Sequence, residues 1–202
     1  MELKRQIRES LLDNSYVPGV HLMMADLASR YGVSEGPIRD ILGDLAAESL
    51  VEHRPNQGYY TLRMDESHYR DIYRVVRVLL ETVSANTHSG NYRMLMPAIQ
   101  ALEEENIVAA SELLFLAIGD QFGSPWLTQI LEHANDKLRA ARMIKGELIP
   151  NRDAELQVIF DLWASGGGQP FRRAMQKYLH RRERLIPEIV GILNRPRRAL
   201  PL

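Results

Sequence analysis

Residues 22–62 read LMMADLASRYGVSEGPIRDILGDLAAESLVEHRPNQGYYTL, and this stretch decides the fold of the first part of the chain. A short helix is predicted over about 24–31, because Gly32 suits the left-handed conformation that ends a helix. A second helix is predicted after Ser34, which caps helix N-termini well. The apolar residues of the second helix recur at helical spacing, as Ile38, Ile41, Leu42, Leu45 and Ala46. That helix is therefore expected to pack on one side only.

A predicted β-ribbon follows the second helix. Residues 50–53 and 59–62 are rich in strand formers, and the five residues RPNQG at 54–58 favour a turn between them. Two helices followed by a ribbon predict a winged helix-turn-helix, in which the ribbon is the wing. The same pattern is also compatible with a helix-turn-helix that serves only as a packing unit, with the ribbon covering the helices. This alternative stays open.

Candidate nucleic-acid contacts lie at the start of the second helix and at the tip of the ribbon. In a helix-turn-helix the first residues of the second helix meet base edges in the major groove. A glycine at the wing tip lets the backbone come close to a phosphate or to the minor groove. The candidates are Ser34, Glu35, Gly36, Arg39, Arg54, Asn56, Gln57 and Gly58.

These residues resemble the DNA-binding domain of the GntR transcription regulators. The resemblance rests on the ordered spacing of VPG at 17–19, Leu27-Ala28, GVSEGPIRDIL at 32–42 and LAAESLVEHRPNQGYY at 45–60, and covers about the first 63 residues. The remainder contains RVLLE at 77–81 and is similar to the FadR subfamily, whose effector domain opens with an Arg-x-x-Leu-Glu helix. The resemblance implies a homodimer that binds a pseudo-palindromic double-stranded DNA operator under the control of a small-molecule effector.

Two base-reading positions depart from the pattern of the family. Glu35 stands where relatives carry an arginine, and Gly36 stands where they carry a small polar residue. Arg39 matches the second arginine of the family's recognition helix, and Asn56 and Gly58 match its wing. Glu35 either accepts a hydrogen bond from a cytosine amino group or repels phosphate.

The charge of the first 63 residues is not the basic footprint of most DNA-binding domains. Seven lysines and arginines stand against nine aspartates and glutamates, which gives a net charge of minus two. We therefore expect modest DNA binding that depends on a dimer and on a local positive face. Arg5, Arg8, Arg39 and Arg54 are the candidates for that face.

The whole chain has 202 residues, 45% of them hydrophobic, and a formal charge of minus one, which predicts two globular domains. It has no cysteine, which excludes disulfides and thiolate metal sites. Because no apolar run reaches about 18 residues and no signal peptide is apparent, we expect a cytoplasmic protein without a membrane span. The expected boundaries are a winged helix-turn-helix at 1–64, a helical effector and dimerisation domain at 65–193, and a basic tail at 194–202.

The second domain is expected to be all-α, so the fold class is mainly α with one small β-ribbon. Its breaks at Gly, Pro and Asn predict about six helices, near 66–88, 91–104, 106–121, 125–145, 151–165 and 169–193. The predicted breaks include Gly90 and residues 146–150. No enzyme motif is present, because GGG at 166–168 follows a helix and is a linker rather than a phosphate loop.

Effector domains of this subfamily often hold a divalent metal through an Asp and three His. In this chain Glu112, Leu116, Leu156 and Tyr178 fall at those positions, and leucines cannot ligate a cation, so neither a metal nor another cofactor is expected. An anionic or partly apolar effector is expected instead, since a guanidinium binds a carboxylate through two parallel bonds. The candidate effector-binding residues are Arg77, Arg139, Arg142 and Tyr178.

Two alternatives to this interpretation stay open. Each candidate arginine can instead pair with a nearby glutamate or face solvent. The protein can also be a ligand-binding or protein-interaction module that has kept the fold and lost specific DNA binding, an alternative that Glu35, Gly36 and the negative charge favour.

Overall fold

A computed structural model describes residues 2–13, 15–86 and 92–195. The chain divides into two compact units, Met1–Asp65 with Val190–Leu202 and Glu66–Ile189. Each unit is described by itself. In the predicted basic tail, residues 196–202 lie outside the described residues, as does the predicted break at Gly90.

The first unit is a winged helix-turn-helix, as the sequence predicts. Its elements are α1 (Glu2–Leu12), β1 (His21–Leu22), α2 (Met24–Tyr31), α3 (Glu35–Ala47), β2 (Val51–Arg54) and β3 (Gly58–Thr61). The strands form an antiparallel sheet of order β1-β3-β2. In its register Tyr60 of β3 lies between His21 of β1 and Glu52 of β2.

The turn between α2 and α3 forms for the reasons that the sequence gives. Gly32 ends α2 with φ 66°, a left-handed value that glycine adopts without strain. Ser34 precedes α3 in an extended conformation, although its side chain makes no capping hydrogen bond. Ile38, Leu42 and Leu45 of α3 are buried in the core of this unit, so α3 packs on one side as predicted.

Helix α1 is not among the predicted elements. Ile7 and Leu12 are buried in the same core as α3, and Leu3 and Leu11 pack against it. The four apolar residues of α1 recur at helical spacing, so the helix could have been predicted from the sequence.

The remaining described residues are helical. The helices are α4 (Glu66–Asn86), α5 (Tyr92–Glu103), α6 (Ile107–Gln121), α7 (Pro125–Leu148), α8 (Arg152–Ala164), α9 (Gly168–Arg184) and α10 (Ile186–Leu193). Helix α6 contacts α4, α5, α7 and α8, and its buried residues include Leu114, Phe115 and Ile118. At Gly119 a Cβ would lie 2.8 Å from Leu131 Cδ1, so the missing side chain lets α6 and α7 approach closely.

One predicted boundary in this helical part is wrong, and a second is shifted. Residues 169–193 form two helices, because Pro187 has no amide hydrogen to donate and its ring clashes with the preceding turn, so α9 ends at Arg184. The predicted break covers residues 146–150, and helix α7 continues past Gly146 to end at Leu148, inside that interval. A glycine inside a helix costs only about 1 kcal/mol relative to alanine, which packing readily outweighs. Over the described residues, no helix is both long enough and apolar enough to cross a bilayer.

Candidate nucleic-acid interface

The exposed face at the start of α3 carries four of the predicted contact residues, Ser34, Glu35, Gly36 and Arg39. Buried Ile38 fixes the helix behind them. Glu35 and Arg39 are separated by four residues, so their side chains share one face of the helix. Within the described part of the chain, neither side chain makes an ion pair or a hydrogen bond. Both are therefore free to meet an external partner.

Gly36 leaves open space beside Glu35. No heavy atom lies within 4 Å of the position that a Cβ at Gly36 would take. Packing within the unit therefore does not require a glycine there. Its absent side chain lets the start of α3 come close to a flat surface such as base edges.

Arg54 of the wing is fixed by contacts with other side chains of the sheet. Arg54 donates from Nε and Nη2 to the two carboxylate oxygens of Glu52, each at 2.9 Å. Its guanidinium carbon lies 4.0 Å from the centre of the Tyr60 ring, and His21 stacks on that ring with centroids 4.7 Å apart. The hydrogen bond from Arg54 lowers the pKa of the Glu52 carboxyl. The predicted contact residue Arg54 is thus already paired within the wing.

The wing tip has the backbone conformations that the sequence predicts for a tight turn. Asn56 has φ 60° and Gly58 has φ 91°, and Gln57 N donates to Arg54 O at 3.0 Å. Asn56 and Gln57 are exposed. At Gly58 a Cβ would lie 2.8 Å from His21 Nε2, so both the backbone angle and the available space require glycine.

Carboxylates of the same unit hold most of the cations that were expected to form a positive face. Arg5 pairs with Glu2 at 2.7 Å, and Arg8 pairs with Glu48 at 3.6 Å. Lys4 also pairs with Glu48, at 2.9 Å. Among Arg5, Arg8, Arg39 and Arg54, Arg39 alone has no carboxylate partner in the described part of the chain. The sequence interpretation missed Glu52, Tyr60 and His21, which come together only through the strand register.

In the helical unit, Arg142 of α7 lies in the interior, with 4% of its surface exposed. It donates from Nη2 to Asn135 Oδ1 at 2.8 Å, and its Nη1 lies 3.5 Å from Glu112 Oε1. Arg139 also pairs with Glu112, at 3.5 Å. Burial raises the pKa of the Glu112 carboxyl, and the two arginines only partly oppose this. Two of the three predicted effector-binding arginines therefore meet at one partly buried carboxylate.

Tyr178 of α9 is also buried and lies beside a second buried arginine that the sequence interpretation missed. Arg182 donates to Glu155 Oε2 at 2.8 Å, and its guanidinium carbon lies 3.3 Å from the centre of the Tyr178 ring. The Phe115 ring contacts both sites, because it lies 6.2 Å from the Tyr178 ring and 4.9 Å from the Arg142 guanidinium. An arginine four residues after a tyrosine in a helix is the signal that could have identified Arg182.

Arg77 of α4 pairs with a different carboxylate from that of Arg139 and Arg142, since it lies 3.8 Å from Glu183. At the positions where relatives hold a metal, Leu156 is buried, and Glu112 faces two arginines. Among the residues that the structure describes, no three His, Asp or Glu side chains gather closely enough to hold a metal ion. The helical unit thus contains buried guanidiniums, each with a carboxylate partner.

Comparison with known proteins identifies the first unit. Residues 1–60 match the model of the family described as bacterial regulatory proteins, gntR family. Over these residues the match confirms the resemblance to the GntR regulators that is seen in the sequence. The transcriptional repressor GlaR of Escherichia coli (strain K12) is 33% identical over 69 residues, which are 34% of this chain and 31% of GlaR.

A longer match is to a transcriptional regulator of Streptomyces ambofaciens described as lying in an unstable DNA locus. It is 30% identical over 103 residues, which are 51% of this chain and 42% of that protein. The matched segments thus span less than half of the length of these curated relatives. Both relatives are named as transcription regulators of the helix-turn-helix type.

Solved structures share the fold over nearly the whole chain. A GntR transcriptional regulator from Rhodococcus sp. RHA1 has a TM-score of 0.79 at 17% identity, covering 94% of this chain and 96% of that chain. McbR/YncC of E. coli has a TM-score of 0.69 at 16% identity, covering 93% and 96%. At these identities the likeness shows that the order of a winged helix-turn-helix and a helical domain is shared.

Proposed function

We propose that the protein is a transcription regulator that binds a pseudo-palindromic operator as a homodimer. The first residues of α3, with Ser34, Glu35, Gly36 and Arg39, enter the major groove. The wing tip at 54–58 contacts the flanking backbone. The observation that carries the proposal is the exposed, unpaired Arg39 on a recognition helix that the GntR family model covers. A dimer places two such helices on two half-sites.

We further propose that the helical unit is a FadR-type effector domain. Its buried arginines support an anionic or partly apolar effector, since Arg142 and Tyr178 both lie beside the Phe115 ring. An entering carboxylate would exchange with Glu112 at Arg142 and Arg139. Binding that differs between two conformations of the unit would then change the affinity for DNA. The working compartment is the cytoplasm, where a bacterial genome lies.

Selection from fragmented genomic DNA tests the DNA-binding proposal. The purified protein is incubated with the fragments, and the retained DNA is sequenced and measured again across a salt series. One enriched palindromic site with a steep salt slope supports a regulator. A folded dimer that enriches nothing, with or without a panel of small carboxylates, contradicts the proposal and favours a ligand-binding or protein-interaction module.

Arg39→Ala is the matching variant. It is expected to weaken operator binding by about 1 to 3 kcal/mol and to relax specificity at one position. Arg74→Ala is the control, because it removes an arginine that is equally exposed and lies on α4, where it pairs with Asp71. Equal binding by both variants would remove Arg39 from the interface.

A further inference from the structure

Glu35 differs from the acidic side chains of the first unit that hold cations. Glu2 binds Arg5, Glu48 binds Lys4 and Glu52 binds Arg54. Glu35 is exposed and has no such partner in the described residues. No internal bond has to break before its carboxylate meets an external donor.

Its position relative to Arg39 restricts what that donor can be. Four residues of helix separate the two side chains by about 6 Å along the axis, so both can meet base edges within one half-site. Asp40 is also exposed and unpaired in this part of the chain. It is turned by about 140° from Glu35 around the helix and so lies off the face that Glu35 and Arg39 share.

The chemistry of the major groove restricts the donor further. A carboxylate only accepts hydrogen bonds, so Glu35 cannot bind a phosphate. The base-edge donors in the major groove are the amino groups of cytosine and adenine. Adenine places the acceptor N7 beside its amino group, which repels a carboxylate, whereas cytosine has no acceptor there. Cytosine is therefore the base that suits Glu35, while guanine suits Arg39.

We propose that Glu35 is a specificity-determining residue that reads cytosine in each half-site, close to a guanine read by Arg39. This proposal rests on the DNA-binding function proposed above. It explains a carboxylate on the face of α3 that would otherwise only repel the phosphates. It also predicts part of the operator, because each half-site contains a C·G pair at a fixed distance from a G·C pair.

Selection from a pool of random duplexes tests the assignment with three proteins, wild type, Glu35→Gln and Asp40→Asn. The two variants lose the same charge from the same helix. Wild type and Asp40→Asn are expected to select the same motif with a cytosine at one position. Glu35→Gln is expected to lose that preference by about tenfold, the size of one good base contact, and to shift toward adenine, which a glutamine binds through N6 and N7.

The outcomes separate the two proposals. If both variants keep the wild-type motif and only bind all duplexes more tightly, Glu35 merely repels phosphate and the assignment is wrong. If wild type selects no motif at all, the proposed DNA-binding function fails together with the assignment.

A titration on the selected operator gives a second readout. One duplex carries a cytosine analogue without the 4-amino group at the selected position. Wild type is expected to bind it about tenfold more weakly than the cytosine duplex, and Glu35→Ala is expected to bind the two duplexes equally. An equal loss in wild type and Glu35→Ala would overturn the proposal.

Discussion

The two units each contain an arginine that is clamped between a glutamate and a tyrosine ring, and the two clamps differ in exposure. On the wing, Arg54 pairs with Glu52 and lies 4.0 Å from the Tyr60 ring. In the helical unit, Arg182 pairs with Glu155 and lies 3.3 Å from the Tyr178 ring. The wing side chains of Arg54 and Glu52 are 39% and 45% exposed, whereas those of Arg182 and Glu155 are 4% and 20% exposed.

The difference in exposure gives the same chemical groups different roles. Water and salt screen an exposed pair, so a phosphate can replace its carboxylate at little cost. A buried pair cannot lose one partner without leaving an uncompensated charge in the interior. We therefore expect the wing clamp, which is Arg54 with Glu52 and Tyr60, to exchange its carboxylate for another anion. The interior clamp, which is Arg182 with Glu155 and Tyr178, is expected to be part of the framework that stabilises the helical unit.

Removing the interior carboxylate is expected to give the largest loss. Glu155→Ala leaves Arg182 buried without its carboxylate, which destabilises the helical unit by about 3 kcal/mol. Chemical denaturation followed by circular dichroism measures this loss. Asp161→Ala, on the exposed face of the same helix, is the control and is expected to change stability by less than about 1 kcal/mol.

A double variant sharpens the test of the interior clamp. Arg182→Met with Glu155→Leu removes both charges and is expected to recover most of the stability that Glu155→Ala loses, because apolar groups replace a buried pair well. If the double variant is less stable than Glu155→Ala, the uncompensated charge of Arg182 is not the cause of the loss, and the argument from the buried charge is wrong.

Substitution of one glycine in the wing and one in α3 is expected to change stability in opposite directions. Gly58→Ala is expected to cost about 2 kcal/mol, because φ is positive and the new Cβ would meet His21 Nε2 at 2.8 Å. Gly36→Ala meets nothing within 4 Å and lies in a helix, so it is expected to raise stability by up to about 1 kcal/mol. Thermal unfolding of both variants distinguishes them, and equal melting temperatures would contradict the wing geometry.

The fold could be predicted largely because its signals are local. Gly32 determines the backbone at the end of α2, and the apolar stripe of α3 determines its packing, each within a few residues. Pro187 is also a local signal, and it separates α9 from α10. The apolar residues recur at helical spacing on both sides of Pro187, so a single helix was predicted there. Helix α1 was missed although its apolar spacing is regular.

The contacts of the candidate sites could be predicted only in part, because pairing depends on neighbours from distant segments. The sequence identifies Arg142 as a candidate, but its contact with Glu112 joins α7 to α6. Arg182 was missed because its partner Glu155 is 27 residues away, on another helix. On the wing, the stacking of His21 on Tyr60 follows from strand register, which residue composition does not fix.

A pH experiment tests whether burial or ion pairing dominates at Glu112. Burial raises the folded-state pKa of this carboxyl above its usual value of 4.5. The corresponding stability is complete below about pH 4.5 and is lost as the pH rises through the raised folded-state pKa. The unfolding free energy of wild type minus that of Glu112→Gln is therefore expected to fall as the pH rises from about 4.5. A rising difference would mean that Arg139 and Arg142 outweigh burial.

Freeing the wing arginine is expected to give the smallest effect, and one seen in DNA binding rather than in folding. Glu52→Gln removes the carboxylate that neutralises Arg54, so Arg54 meets a phosphate without first losing a partner. The slope of log K against log salt is expected to steepen by up to about 0.9, the value for one phosphate.

Glu66→Gln is the matched control for this variant, because it loses the same charge from a similarly exposed pair with Arg70 on α4. Its salt slope is expected to equal that of wild type. If Glu52→Gln keeps the wild-type slope and Arg54→Ala keeps it as well, Arg54 does not reach the DNA, and the wing clamp is then a structural feature like the interior one, only more exposed.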